Sequence, residues 1–131
     1  MTVLSHLHVL VVDNEPAILE GMRLLLSGWG CEVWTASNLQ GAQEIIRTHK
    51  AAPDVIIADY HLDDGDGLDL IRVLRWKTEV ATPAILVTAD RTPTVRDSAT
   101  HMNVHVLNKP VKPAALRALL TQWRATRVAA E

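Results

Sequence analysis

With 131 residues, the chain has the size of one ordinary domain and needs neither a disulfide nor a structural metal to bury an adequate core. A formal net charge of -2 lacks the basic excess of a nucleic-acid binder, and the lone Cys31 excludes an internal disulfide. Hydrophobic residues make up 48% and charged residues 21%, as in a soluble globular protein, and no apolar run approaches the ~20 residues of a membrane span.

The first apolar run, His8–Val12, reads as a strand and ends in the carboxylate of Asp13. It is short, has no basic region before it and is cut off by an acid, unlike a secretory signal. A cytoplasmic chain is expected, either stand-alone or cut from a larger protein. The first helix opens at Asn14-Glu15-Pro16, with Ile18, Met22, Leu25 and Leu26 as its apolar stripe and Gly28 and Gly30 as its stop. Gly28-Trp29-Gly30 lacks the third glycine of a dinucleotide fingerprint. Cys31–Ala36 alternates in polarity, as an edge strand would, and Cys31 reads as a small apolar residue opening it. Asn38 caps a second helix whose inner face is Leu39, Ala42, Ile45 and Ile46.

Val55–Asp59 reads as a fully buried strand, again ending in an acid. The stretch Asp63-Asp64-Gly65-Asp66-Gly67 is not an EF-hand loop: with Gly67 sixth, the first position is Leu62 and the twelfth Val73. It reads as a loop capping a third helix that starts near Asp66-Gly67 and buries Leu68, Ile71 and Leu74. Strand Ala84–Thr88 follows, then a weakly apolar helix over Pro93–Met102, the element expected to move most easily. Strand Val104–Leu107 leads into Lys109-Pro110. The last helix begins at Pro113, with Leu116, Leu119, Leu120 and Trp123 at helical spacing and a fraying end after Trp123. The six His show no ligand spacing, and the four Trp are scattered as packing residues.

Five strand–helix repeats predict an α/β domain with a parallel sheet covered on both faces, and no second domain. Asp13, Asp59, Thr88 and Lys109 then lie on one rim, at strand carboxyl ends, where open α/β sheets bind ligands. Taken singly, Asp59 reads as a turn or cap acid, Thr88 as a buried β-branched residue and Lys109 as a solvated charge. Together they suit a hard cation and a phosphoryl group: acids for the metal, an ammonium and a hydroxyl for phosphoryl oxygens.

Val11-Val12-Asp13-Asn14-Glu15, Ile57-Ala58-Asp59, Asp64-Gly65-Asp66-Gly67-Leu68, Leu86-Val87-Thr88-Ala89 and Asn108-Lys109-Pro110 occur in this order and spacing. In that pattern the chain resembles a response-regulator receiver domain of bacterial two-component signalling, over about residues 7–124 of a single domain spanning 1–131. The resemblance implies a flavodoxin-like, doubly wound (βα)5 fold with strand order 2-1-3-4-5, for which a receiver is itself a standard example. It implies that Asp59 takes a phosphoryl group from a phosphohistidine, forming an acyl phosphate. It assigns Mg2+ (or Mn2+) to Asp13, Asn14, Asp59 and the backbone carbonyl of His61. Thr88 would turn to the phosphoryl oxygens, Lys109 would pair with Asp59 or its phosphate, and the Lys109–Pro110 bond would be cis. His61 and Asp90 would flank the pocket and tune water access.

Two positions depart from the family pattern. Asn14 replaces the second acid, which predicts weaker Mg2+ binding, because an amide oxygen is neutral. Val106 stands where receivers often carry Tyr or Phe, so that ring cannot report the switch. The partner implied is a histidine kinase or a histidine phosphotransfer protein. Asp13-Asn14-Glu15-Pro16, Asp59-Tyr60-His61-Leu62 and the segment from Leu107 to Arg117 resemble C-terminal receivers of hybrid sensor histidine kinases, so a kinase parent is expected while the domain itself is a phosphoacceptor. Family resemblance leaves room for a homodimer through helix four, strand five and helix five. Two competing readings are an aspartate-nucleophile phosphohydrolase, which Asp59-Tyr60-His61 fails for want of a second acid, and a receiver-shaped interaction domain that works without phosphorylation.

Overall fold

Strand and helix alternate, apart from a short hairpin over residues 61–66, through the computed structural model, which describes residues 4–130 and the side chains of residues 4–125. The strands of the main sheet are β1 (His8–Val12), β2 (Glu32–Ala36), β3 (Val55–Asp59), β4 (Ala84–Thr88) and β5 (Val104–Asn108). The helices are α1 (Pro16–Gly28), α2 (Leu39–His49), α3 (Gly67–Thr78), α4 (Pro93–His101) and α5 (Pro113–Ala130). All five strands are parallel, in the order β2-β1-β3-β4-β5. This is the flavodoxin-like doubly wound sheet that the repeats and the resemblance imply.

Period-two alternation explains why the central strands are apolar throughout. Leu10, Val12, Ile56, Ala58, Ala84 and Leu86 join the core beneath α2, α3 and α4. Val9, Val11, Val55, Ile57, Ile85 and Val87 join the core beneath α1 and α5. Register then levels the rim: Val12 pairs with Ala58, Asp59 with Val87, and Thr88 with Asn108.

Helix boundaries follow their caps. Asn38 Oδ1 accepts from the Gly41 N–H at 2.8 Å and starts α2, while Asp66 Oδ1 accepts from the Asp69 N–H at 2.8 Å and starts α3. Lys50 and Glu79 take left-handed φ values of 54° and 57° and end those helices. Pro16 opens α1, where its missing N–H is harmless.

Several boundaries differ from the sequence expectation. Cys31 precedes β2 rather than opening it, because its N–H is taken by the Leu26 carbonyl. β5 runs one residue further, to Asn108, by pairing with Thr88. α4 stops at His101, with Met102 as its cap, and sends only Val95 and Ala99 into the core. α5 runs to Ala130, so the tail after Trp123 is helical. Ile18 does not belong to the buried stripe of α1. It is 42% exposed, and Leu19 packs inward with Met22, Leu25 and Leu26 instead.

The Trp residues form no common stripe: Trp34 packs on one face of the sheet and Trp29 and Trp123 on the other. Trp34 stacks on His49 at 4.1 Å, Trp29 lies under the Arg117 guanidinium, and Trp76 is exposed on α3. No helix among the described residues is long and apolar enough to cross a membrane.

Candidate functional site

β1 and β3 deliver Asp13 and Asp59 side by side at the rim, because the two strands are hydrogen-bonded neighbours that end level. Both carboxylates are buried, at 4% and 7% exposure. Burial pushes the Asp13 carboxyl above its ordinary range. The Glu15 N–H, donating to Asp13 Oδ1 at 2.9 Å, opposes this, and the nearby charge of Asp59 adds to it. The two acids are therefore close enough to repel each other.

Lys109 supplies the compensating charge. Its ammonium lies 3.1 Å from Asp59 Oδ1. Its own N–H donates to the Thr88 carbonyl at 2.9 Å, which sets where the chain leaves β5, and the Lys109–Pro110 peptide is cis. Thr88 is buried at the end of β4, and its Oγ1 accepts from the Asp90 N–H at 2.9 Å. Asp90 Oδ1 in turn accepts from the Thr92 N–H at 2.8 Å, and hydrogen bonding to Thr92 holds the Asp90 carboxyl below its ordinary range. The Asn108 carboxamide reaches the carbonyls of Thr88 and Asp90 at 3.3 and 3.4 Å. The Thr88 hydroxyl is thus engaged with its own loop.

The other residues expected at the site, His61 and Asn14, stand nearer the surface. His61 is exposed, its ring edge-on to Tyr60, and opens a short antiparallel hairpin of His61–Leu62 against Gly65–Asp66. Asn14 is half-buried and donates through Nδ2 to Asp63 Oδ1 at 3.3 Å. Asp64 Oδ2 accepts from the Leu39 N–H at 3.1 Å, tying the hairpin to the start of α2. The acidic stretch therefore does more than cap α3. Val106 is half-buried on β5 and packs on the α2–α4 side of the sheet.

Sequence reasoning placed Gly67 at the start of the third helix but missed why it must be glycine. A Cβ placed there would lie 2.3 Å from the Asp59 carbonyl oxygen and 2.9 Å from Leu86 Cδ1. Only glycine lets the start of α3 approach the strand that carries Asp59, and its N–H donates to the Tyr60 carbonyl at 2.9 Å. Its place at the first residue of the helix was the available signal, and it read as part of an ordinary capping loop. Also missed was a groove of about 580 Å³ beside the acids, lined by Ala17, Ile18, Met22 and Leu25 of α1 and by Pro110 and Val111. Ile18 is exposed because it faces this groove.

Among the described residues, no three His, Cys, Asp or Glu side chains gather as a metal cage. The donor set at the rim is two adjacent buried carboxylates. That fits Mg2+ or Mn2+, which use one or two carboxylates and keep their remaining positions for water and phosphate oxygens. A cation there would also offset the burial and, to a lesser extent, the neighbouring Asp59 charge that raise the Asp13 carboxyl.

A family model described as the response regulator receiver domain matches residues 9–121. The chain is 34% identical over 122 residues to the transcriptional regulatory protein TrcR of Mycobacterium tuberculosis, covering 92% of this chain and 45% of that protein. It is 32% identical over 131 residues to the transcriptional regulatory protein DcuR of Shigella flexneri, covering 95% and 53%. The chain thus spans about half the length of these curated relatives. A crystal structure of a response regulator receiver domain protein from Clostridium thermocellum superposes with a TM-score of 0.84 at 25% identity, covering 95% of this chain and 98% of that one.

Proposed function

The chain belongs to the response regulator receiver domain family of two-component signalling, and we propose that it accepts a phosphoryl group from phosphohistidine on Asp59. The observation that carries this reading is the buried Asp59 carboxylate, 3.1 Å from the Lys109 ammonium and beside the buried Asp13, at the carboxyl end of a central strand.

In the proposed step an Asp59 carboxylate oxygen bonds to phosphorus as the bond from phosphorus to the imidazole nitrogen breaks, and the imidazole leaves with the electron pair. Such a transfer needs positioning and charge neutralisation more than covalent help. Lys109 is placed to meet charge building on the phosphoryl oxygens. Thr88 Oγ1 accepts from Asp90, which leaves its O–H to donate to a phosphoryl oxygen. Asp13, Asn14, Asp59 and the His61 backbone carbonyl are the proposed holders of Mg2+ or Mn2+, which when bound supplies further neutralisation of those oxygens.

The donor in this reading is a histidine kinase or a histidine phosphotransfer protein, and the domain acts in the cytoplasm as a single receiver over residues 1–131. We place it in a hybrid sensor histidine kinase on the strength of Asp13-Asn14-Glu15-Pro16 and Asp59-Tyr60-His61-Leu62. Asn14 and Val106 support a second reading, a receiver-shaped interaction domain that works without phosphorylation.

Intact-mass spectrometry after incubation with acetyl phosphate and Mg2+ separates the two. A single phosphoryl adduct that requires Mg2+ and is lost in Asp59→Asn is expected. No adduct at any Mg2+ concentration would favour the interaction domain.

A further inference from the structure

We propose that Asp63 is a positioning residue for the cation: it orients the Asn14 carboxamide so that the oxygen, and not the NH2 group, is left for the metal. This rests on the reading of the rim as a Mg2+ or Mn2+ site.

A carboxamide has two ends of nearly equal shape and opposite use. The NH2 end can only donate, so it repels a cation, while the oxygen can coordinate one. Asn14 therefore serves as a ligand only if something selects its orientation. Asp63 does so, because a carboxylate only accepts, and it lies 3.3 Å from Asn14 Nδ2. The Asn14 side chain has no other hydrogen bond among the described residues. A carboxylate bound to the NH2 also polarises the amide and strengthens its oxygen as a donor. Outer residues that orient metal ligands in this way are a general feature of metal sites.

Backbone geometry puts Asp63 in place. The hairpin reverses at Asp63-Asp64, between the paired Leu62 and Gly65, and Gly65 leaves the turn with a φ of 147° that suits glycine. Asp66 is occupied in capping α3, and Asp64 in accepting from Leu39. Of the three acids in this segment, Asp63 is the one that reaches the rim. It belongs to the hairpin that carries His61, so the same short segment offers a carbonyl and orients an amide.

The test is a Mn2+ titration of the unphosphorylated chain, read by the paramagnetic resonance signal of free Mn2+, which needs no phosphoryl donor. Asp63→Ala is expected to weaken Mn2+ binding by about 10-fold, the lower end for loss of an orienting partner. Asp63→Asn keeps an acceptor oxygen for Asn14 and is expected to restore most of that loss. Asn14→Asp needs no orienting, so adding Asp63→Ala to it is expected to change affinity by less than about 2-fold, the mark of a coupled pair. An equal loss in both backgrounds would reduce Asp63 to a diffuse negative charge and overturn the inference, as would wild-type affinity in Asp63→Ala. A wild-type chain that binds no Mn2+ would overturn both this inference and the metal site beneath it. A normal titration with no phosphoryl adduct would leave this inference standing and sink only the phosphoacceptor reading.

Discussion

Gly67→Ala is the sharpest perturbation the site offers. Its added Cβ would meet the Asp59 carbonyl oxygen at 2.3 Å and Leu86 Cδ1 at 2.9 Å. The Leu86 methyl can rotate away, but the Asp59 carbonyl belongs to the β3 backbone, where it is held between β1 and β4. Relief therefore requires α3 or β3 to shift, and overpacking of this kind costs about 1–3 kcal/mol. Against it stands the helix propensity of Ala over Gly, about 1 kcal/mol in a helix interior and less at a first residue. The net expectation is a loss of about 2 kcal/mol, or roughly 6–10 °C in Tm for a chain of this size. Gly21→Ala is the matched control: it lies inside α1 with nothing within 4 Å of its Cβ position, so it should gain up to about 1 kcal/mol. Urea and thermal unfolding of the two variants should move in opposite directions. Because the clash is with the Asp59 backbone, Gly67→Ala should also slow labelling by acetyl phosphate at least ~10-fold, as misplacement of a reacting group does. A Gly67→Ala protein as stable as wild type would refute the close approach and the role given to it.

Lys109→Ala removes the ion pair of a buried carboxylate, and the rate of acetyl phosphate labelling should fall about 10²–10³-fold, as for loss of one oxyanion-stabilising group. Asp13→Asn tests the raised carboxyl. With its folded-state value above the ordinary 3.8, the folded chain holds this proton more tightly than the unfolded chain. The group's contribution to stability is therefore fully present below 3.8 and is lost as pH rises through the raised value. The variant should melt higher than wild type at pH 7, with the gap closing towards pH 3.5 in a series of thermal melts. Asn38→Ala deletes the cap of α2 and should cost about 1 kcal/mol in urea unfolding without changing Mn2+ affinity.

Local rules carry far in this chain. Five apolar runs, each closed by a polar residue and followed by a helical pattern, determine a parallel α/β sheet with Asp13, Asp59, Thr88 and Lys109 on one rim. The Asn38 cap and the Pro16 and Pro113 helix starts were legible for the same reason, since each depends only on residues a few places away.

What escaped the sequence depends on pairs that are distant along the chain. Ile18 belongs to the helical stripe by spacing alone, and only the groove between α1 and the segment after β5 shows that it faces outward. Gly67 looks like turn punctuation until β3 is brought against it. The Asn14–Asp63 contact joins residues 49 apart, and the acidic stretch reads as a plain helix cap until the hairpin folds it towards β1. Composition and periodicity determined which side chains share the rim, because strand ends and burial follow from local pattern. Tertiary structure alone decided which of them touch, because a hydrogen bond or a steric clash is settled within an ångström, and sequence spacing does not resolve that distance between elements.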